Sequence, residues 1–382
     1  EAVCAARSKL YEDPELGRTN TWGAYQCYGD PGFILNMQAK QEGGNDEKFV
    51  APDEVIRRLR NVQARASHIE DRGWLTRLTN QTKALEERVR TKLPADWLNG
   101  ELLNEFGNTY AELRNFPAAI TRYRQALCSS SPNERVPFRT AEQLANLESR
   151  FAVDLINAGK SAHLDDENGR WDAQELLQSA ETRLRLLLAM AETAERWSLL
   201  GGYYKRQAFI SSDEGYRTAL NAAADSYRKA YEISSAHGSP YSDFNWVTCR
   251  VLTVDALSEE ERTALLGEIE ASRQALARRE STERSFWDLI SRPDAALAAA
   301  LVTSVGGASE IASHQINEIA RLYRNMMTIT GTRREQDTVL GNLDFLSEML
   351  TRNNQTTLAA AIQRIRELVA QPPQQAEARV DV

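Results

Sequence analysis

The sequence LNEFGNTYAELRNFPAAITRYRQA, from Leu103 to Ala126, decides the fold of this chain. Its small and aromatic residues recur at helical spacing in two halves. They are Leu103, Phe106, Gly107 and Tyr110 in the first half, and Ala119, Tyr123 and Ala126 in the second. Glycine and alanine allow two helices to approach closely, and aromatic side chains fill the space beside them. The stretch therefore predicts two short helices packed as a hairpin, with Pro132 just beyond the second helix.

A second copy of this pattern lies further along the chain. Its members are Trp197, Leu200, Gly201, Tyr204, Ala223, Tyr227 and Ala230, and Pro240 follows them. In the first copy, nine positions lead from Tyr110 to Ala119. In the second copy, nineteen positions lead from Tyr204 to Ala223. The ten extra residues, AFISSDEGYR, either enlarge the loop between the two helices or lengthen the helices themselves.

Both copies resemble the tetratricopeptide repeat, in which Trp-x2-Leu-Gly-x2-Tyr on one helix faces Ala-x3-Phe-x2-Ala on the next. The resemblance implies a mainly α fold, an α-solenoid of tetratricopeptide-like helix pairs stacked one on the next. Between residues 52 and 370 nearly every segment has the apolar period of a helix, interrupted by turns rich in Gly, Pro or Ser. We therefore predict one helical repeat domain over residues 52–370, without a sheet of three or more strands.

The second copy and its continuation, DSYRKAYEISSAHGSPYSDFNWVTCRVL, carry a further local resemblance. The segments Tyr227–Tyr231, Pro240–Tyr241 and Asn245–Thr248 are similar to the regulatory helical-repeat region of the apoptosis signal-regulating kinases. The resemblance implies a regulatory scaffold. It does not imply kinase activity, since the sequence has neither a glycine-rich phosphate loop nor a kinase catalytic-loop pattern.

The N-terminal region has a different character. NTWGAYQCYGDPGFIL, from Asn20 to Leu35, is aromatic, alternates like a strand and ends in a Gly-Asp-Pro-Gly turn. A single strand is not stable alone, because its backbone groups need neighbouring strands. We therefore expect it to belong to a sheet whose other strands precede Glu1, and the absence of an initial Met agrees with a longer parent chain.

Together with the amphipathic segment before it, this stretch resembles the C-terminal end of the CHAT domain, a caspase-like peptidase module. Tyr28-Gly29-Asp30-Pro31 is the most specific part of the resemblance. It implies that residues 1–38 are the last helix and strand of an incomplete α/β caspase-like domain. Residues 39–51 then form a polar linker, and the proline-containing residues 371–382 form a disordered tail.

The caspase-like catalytic pair is a His and a Cys on two motifs, and neither motif occurs in this chain. Cys27 is the nearest alternative nucleophile, but the first histidine is His68, beyond the linker. A catalytic thiol needs a base within hydrogen-bond reach, so we interpret Cys27 as a buried strand residue. The expectation is that the chain has no catalytic residues and is not an enzyme in its own right.

No cofactor or metal site is predicted. HLDDENGRWD, from His163 to Asp172, clusters acidic residues, but Gly169 stands fifth from Asp165, where a calcium loop needs it sixth. We interpret the segment as a solvated loop between helices. The chain's cysteines, Cys4, Cys27, Cys128 and Cys249, are far apart and favour reduced, buried thiols in a cytoplasmic protein.

Charge and hydropathy argue against two broad classes of protein, general nucleic-acid binders and membrane-spanning proteins. The net charge is −8 with 26% charged residues, which argues against a general affinity for nucleic acid. The most apolar run, Ala295–Ala308, is too short to cross a bilayer, which needs roughly 20 apolar residues. We expect a buried helix there, and no membrane partner.

Helical arrays bind extended partners in the groove lined by the first helix of each pair. On that helix, Asn104 and Asn108 could contact a peptide backbone in the first copy, and Lys205 and Arg206 an acidic group in the second. The alternative is that all four are ordinary solvated residues. Three functions stay open: a non-catalytic regulatory region of a CHAT-type peptidase, an active hydrolase, or a structural scaffold. The expected partners are a protein or peptide and the upstream caspase-like domain, and the oligomeric state is left open.

Overall fold

A computed structural model describes residues 49–67, 72–129, 136–157, 163–211, 214–234, 240–278, 286–306, 310–330 and 332–371. The predicted caspase-like segment 1–38 lies outside these residues. So do most of the predicted linker 39–51 and nearly all of the predicted tail 371–382. The predictions for those segments therefore stay predictions.

Within the described residues the chain is mainly α, as the sequence predicts, and a two-stranded hairpin interrupts the helices. The helices are α1 Pro52–Ala66, α2 Arg72–Lys92, α3 Gly100–Glu112, α4 Phe116–Cys128, α5 Phe138–Asn157, α6 Ala173–Met190, α7 Ala194–Ile210, α8 Glu214–Ser234, α9 Pro240–Leu252, α10 Glu259–Ala277, α11 Phe286–Ser304, α12 Ser313–Thr330, α13 Arg333–Arg352 and α14 Thr356–Ala370. The strands are β1 His163–Asp166 and β2 Gly169–Asp172, and a 3-10 turn spans Ala95–Trp97.

Consecutive helices pack as pairs, most extensively α3 with α4, α5 with α6, and α7 with α8. The first helices of the pairs also contact one another, α1 with α3, α5 with α7, and α9 with α11. We call α1, α3, α5, α7, α9 and α11 the inner helices. This is the arrangement of an α-solenoid, in which each pair buries its apolar side against its neighbours.

The glycines of the two copies lie where the helices of a pair touch. A Cβ atom on Gly107 of α3 would lie 2.6 Å from the ring of Tyr123 on α4. A Cβ on Gly201 of α7 would lie 2.8 Å from the ring of Tyr227 on α8. Glycine is thus required at both positions because no other residue leaves room for the ring. The alanines of the pattern, Ala119, Ala126, Ala223 and Ala230, are fully buried in the same layers.

The ten extra residues of the second copy lengthen the helices and do not enlarge the loop. Helix α7 has 17 residues and α8 has 21, compared with 13 each in α3 and α4. The additional turns end α7 and begin α8, so only residues 211–213 separate the two helices.

The segment His163–Asp172 lies between two helices and exposes Asp165, Asp166 and Glu167, as expected, but it is a hairpin and not an irregular loop. The segment forms an antiparallel hairpin in which Leu164 faces Trp171 and Asp166 faces Gly169. Trp171 is buried and packs edge-on against Phe151 of α5, with 5.6 Å between the ring centres. Its ring N–H donates a hydrogen bond to Asp166. The sequence pattern did not reveal the buried position of Trp171, because its neighbours in the sequence are acidic and its packing partner lies on α5.

Two smaller expectations also need correction. The sequence predicts separate helices ending at Ile290 and beginning at Asp294, but α11 runs through Pro293 without ending. Proline removes one helical hydrogen bond. Ile290 and Leu297 are buried on either side and hold the helix in the core. Of the two cysteines within the described residues, Cys249 is buried as expected, whereas Cys128 is exposed.

The largest apolar core lies in the C-terminal half. It begins at Ala208 near the end of α7 and continues through α8 to α14 as far as Val369. Helix α13 contributes one apolar face, with Val339, Leu343 and Leu346 buried against the rest of this core. Its opposite face is polar, and that face is directed at the inner helices.

Candidate functional site

Helix α13 lies across the inner helices, and its residues contact successive helices in order. At its beginning, Arg334 donates to Glu112 of α3 at 2.8 Å and to Gln143 of α5 at 3.2 Å. One turn later, Thr338 accepts a hydrogen bond from Arg150 of α5 at 2.8 Å. The inner helices therefore bind a helix of the same chain through their polar side chains.

The same order continues towards the C-terminal end of α13. Asn342 accepts a hydrogen bond from Lys205 of α7 at 2.5 Å. Arg352 donates to the carbonyls of Ala208, Phe209 and Ser211 at distances from 2.7 to 3.3 Å. These carbonyls belong to the C-terminal end of α7, where helical carbonyls lack partners and the helix dipole favours a cation. Arg352 thus fixes the end of α13 to the end of α7.

Local sequence explains why α13 begins where it does. Thr332 caps the helix, and Glu335 three residues later accepts from the Thr332 backbone at 2.8 Å, which completes a capping box. Asn353 ends the helix, donates to the carbonyl of Leu252 in α9 and accepts from Tyr216 of α8. Both ends are therefore held by specific polar contacts.

A cleft of about 870 Å³, which we call the long cleft, remains between the inner helices and the beginning of α13. All six inner helices contribute to it, among others through Gln63, Glu112, Arg139, Asn146, Ser198, Ser242 and Asp288. Its lining contains both signs of charge and many amide and hydroxyl groups. Such groups bind a polypeptide through its backbone and its charged side chains.

The two asparagines predicted from the first copy do not line this cleft. Asn104 accepts a hydrogen bond from Thr140 of α5 at 2.7 Å. Asn108 accepts from the Tyr123 hydroxyl at 2.8 Å and donates to Glu105 at 3.1 Å. Both therefore join neighbouring helices in this structure.

The two cations predicted from the second copy do face clefts. Arg206 lines the long cleft and donates to Ser149 and Asn146 of α5, both at 2.9 Å. Lys205 lines a smaller cleft nearby, and burial lowers the pKa of its ammonium group. The sequence pattern did not include Arg139, Arg150 or Arg334, because nothing in their local spacing distinguishes them from solvated arginines.

Two features of the described residues concern metal binding and nucleophilic catalysis. These residues include no group of three or more His, Cys, Asp or Glu residues placed to hold a metal ion. Burial raises the pKa of the Cys249 thiol to about 11, which disfavours the thiolate form that a nucleophile needs. Among the residues that the structure describes, no helix combines the length and the hydrophobicity that crossing a bilayer requires.

Comparison with known protein families agrees with the repeat architecture. Residues 115–250 match the family model described as Tetratricopeptide Repeats-Sensor. The match spans less than half of the chain and runs from the beginning of α4 almost to the end of α9. No curated protein sequence matches this chain. Residues 115–250 are thus similar to repeats of tetratricopeptide type, a class that generally mediates contacts between proteins.

Proposed function

We propose that residues 52–370 are a non-catalytic protein-interaction and regulatory region that binds a protein or peptide in the long cleft. We further propose that this region serves a CHAT-type peptidase in the cytoplasm, whose caspase-like domain ends in residues 1–38. The similarity of residues 115–250 to the family described as Tetratricopeptide Repeats-Sensor supports a regulatory role.

The observation that carries the proposal is the position of α13. Side chains from α3, α5 and α7 hold this helix through charged and amide groups. The same helices present further groups of this kind to the long cleft, among them Arg139 and Glu195. A surface that binds one helix through side chains has the chemistry to bind a second polypeptide beside it.

Site-specific photo-crosslinking in the source cells tests this function. Ala64 and Glu195 are exposed and line the long cleft, so each can be replaced by a photoreactive residue without removing a buried contact. Thr182 is exposed on α6, outside this cleft, and provides the matched control. We expect a discrete protein band from Ala64 and Glu195 but not from Thr182.

Two results would contradict the proposal. Identical products from all three positions, or no product from any of them, would favour a scaffold without a bound partner. An engineered charge reversal, Arg139→Glu, should reduce the crosslinked product if the product forms through the long cleft.

Peptidase activity provides a separate test. We expect the chain to hydrolyse no peptide, and Cys27→Ala to leave this result unchanged. Specific labelling of Cys27 by an electrophilic peptide probe would overturn the non-catalytic assignment. If the chain shows no activity, the proposal assigns any peptidase activity to the proposed upstream caspase-like domain, and the parent protein can be assayed for it.

A further inference from the structure

A second cleft, which we call the inner cleft, is lined mainly by α5, α7, α9, α11 and α13 and shares part of its lining with the long cleft. Its volume is about 340 Å³, within the range of small-molecule sites, which begins at roughly 300 Å³. Apolar and aromatic side chains, including Phe209, Trp287 and Phe345, form part of its wall, and charged and amide groups form the rest. Such a mixed wall is typical of sites for small organic ligands.

Lys205 is the central polar group of the inner cleft. Its ammonium donates to the amide oxygens of Asn245 at 3.0 Å and Asn342 at 2.5 Å, and lies 4.8 Å from the centre of the Phe345 ring. Among the described residues, no carboxylate forms an ion pair with it. An ammonium group has three donors, so one remains for a ligand after the two amides are satisfied.

The charge balance of the lining favours an anion. Two of the lining carboxylates, Asp337 and Asp344, form ion pairs with Arg114 and Arg366, which lie outside the inner cleft. The third, Asp294, accepts a hydrogen bond from the Tyr323 hydroxyl at 2.5 Å. Burial raises the pKa of Asp294 to about 6, so this carboxyl becomes protonated, and loses its negative charge, as pH falls below about 6.

A glycine of α13 lines the inner cleft next to open space. Gly341 lies inside α13, is exposed, and lines the cleft, and a Cβ there would meet nothing within 4 Å. Glycine inside a helix is less stable than alanine by about 0.5–1 kcal/mol, and packing does not require it at this position. Gly202 of α7 also lines the inner cleft. A longer side chain at position 341 would reach over the opening.

We propose that the inner cleft binds a small organic anion, whose carboxylate or phosphate group contacts Lys205 and whose flat apolar part lies against Trp287 and Phe345. This ligand site goes beyond the protein-binding role of the long cleft and does not depend on it. The chemistry shared by the two anionic groups is an oxyanion that accepts a charge-assisted hydrogen bond from a desolvated ammonium.

The probes are phenyl phosphate and benzoate, with benzyl alcohol as the uncharged control and inorganic phosphate as the anion without a ring. Calorimetry on the 382-residue chain should show binding of at least one ring-bearing anion in the millimolar range or tighter. It should show much weaker binding of benzyl alcohol and of inorganic phosphate. The stronger of the two ring-bearing probes identifies the anionic group.

Two variants locate the site. Gly341→Leu should weaken binding about tenfold or more because the side chain covers the opening, and Lys205→Met should do so by removing the donor. Gly267→Leu is the matched control, since Gly267 lies inside α10, away from this cleft, and a Cβ there also meets nothing within 4 Å. It should leave the affinity unchanged.

The unfolding midpoint of each variant is measured alongside. If Lys205→Met does not fold, Gly341→Leu decides alone, because it removes no contact. The proposal is overturned if neither ring-bearing anion binds the wild-type chain. It is also overturned if Gly341→Leu and Gly267→Leu bind the probe equally well.

Discussion

The pair α3/α4 and the pair α7/α8 use the same local contact but different long-range ones. In both pairs a glycine of the first helix lies under a tyrosine ring of the second. The polar residues that follow differ in their partners. Asn108 bonds to Tyr123, 15 positions away, whereas Lys205 bonds to Asn342, 137 positions away.

This difference separates two kinds of information in the sequence. The packing of a pair is determined by residues of that pair, because the glycine and the tyrosine lie on two consecutive helices. The contacts of the inner face of α7 depend on α13, a helix that comes much later in the sequence. We expect loss of the local glycine–tyrosine contact to destabilise the protein more than loss of the long-range contacts.

Gly107→Leu and Gly201→Leu should cause the largest losses of stability. Each new side chain has to displace a tyrosine ring that lies less than 3 Å from the first added atom, and overpacking of this kind costs about 3 kcal/mol. Urea unfolding followed by circular dichroism measures the change. Gly267→Leu, with open space at its Cβ, should unfold like the wild type. If all three variants had equal stability, the glycine–tyrosine contact would not hold the pairs together.

Arg352→Ala should cost about 2 kcal/mol, because it removes hydrogen bonds from a charged donor to three carbonyls at the end of α7. Arg364→Ala is the control. Among the described residues, Arg364 pairs with Glu367 alone, one turn away on α14, and such exposed pairs contribute about 0.5 kcal/mol or less. Equal unfolding curves for the two variants would argue against docking of α13 onto α7.

Asp294→Asn should change how stability depends on pH by about 1 kcal/mol. Burial raises the pKa of Asp294 to about 6, against the hydrogen bond from Tyr323 and the charge of Lys205, which lower it. The folded state binds this proton more tightly than the unfolded state, so protonation of Asp294 stabilises the folded protein. This stabilisation is fully present below the unfolded pKa and disappears as pH rises to about 6. The variant lacks this proton, so its stability relative to the wild type should improve between pH 5 and pH 7.5. No change in the relative stability would contradict the buried environment of Asp294.

Gly341→Ala should have the smallest effect, and in the opposite direction. Alanine is favoured over glycine inside a helix by about 0.5–1 kcal/mol, and the space around position 341 is open. A small increase in the unfolding midpoint is expected. A loss of stability would mean that α13 approaches the inner helices more closely than the structure places it.

The parts of the fold that the sequence predicts are those with local signals. The 3.6-residue apolar period gives the helices, and the glycine–tyrosine spacing gives the pairs α3/α4 and α7/α8. The hairpin was missed because a single buried residue, Trp171, anchors it on α5. Such a contact leaves no periodic pattern in the surrounding polar sequence.

The candidate site was predictable only in part, for the same reason. Lys205 and Arg206 follow the tyrosine of a recognisable pair and do line clefts. Asn104 and Asn108 lie on the first helix of their own pair, before its tyrosine, and bond to Thr140 and Tyr123. Whether such a residue lines a cleft depends on which other helices lie beside it, and for Lys205 one of these is α13. No local pattern in residues 333–352 reveals the position of that helix.

Hydrogen exchange on the 382-residue chain tests most directly the central claim that α13 is an integral part of the inner face. Amides between Val339 and Leu350 should have protection factors on the order of those between Phe106 and Tyr110, since both segments are helical and carry several buried core residues. Arg352→Ala should lower the protection of α13 more than that of α3. Exchange of Val339–Leu350 as fast as that of an exposed, unpacked helix would contradict the account.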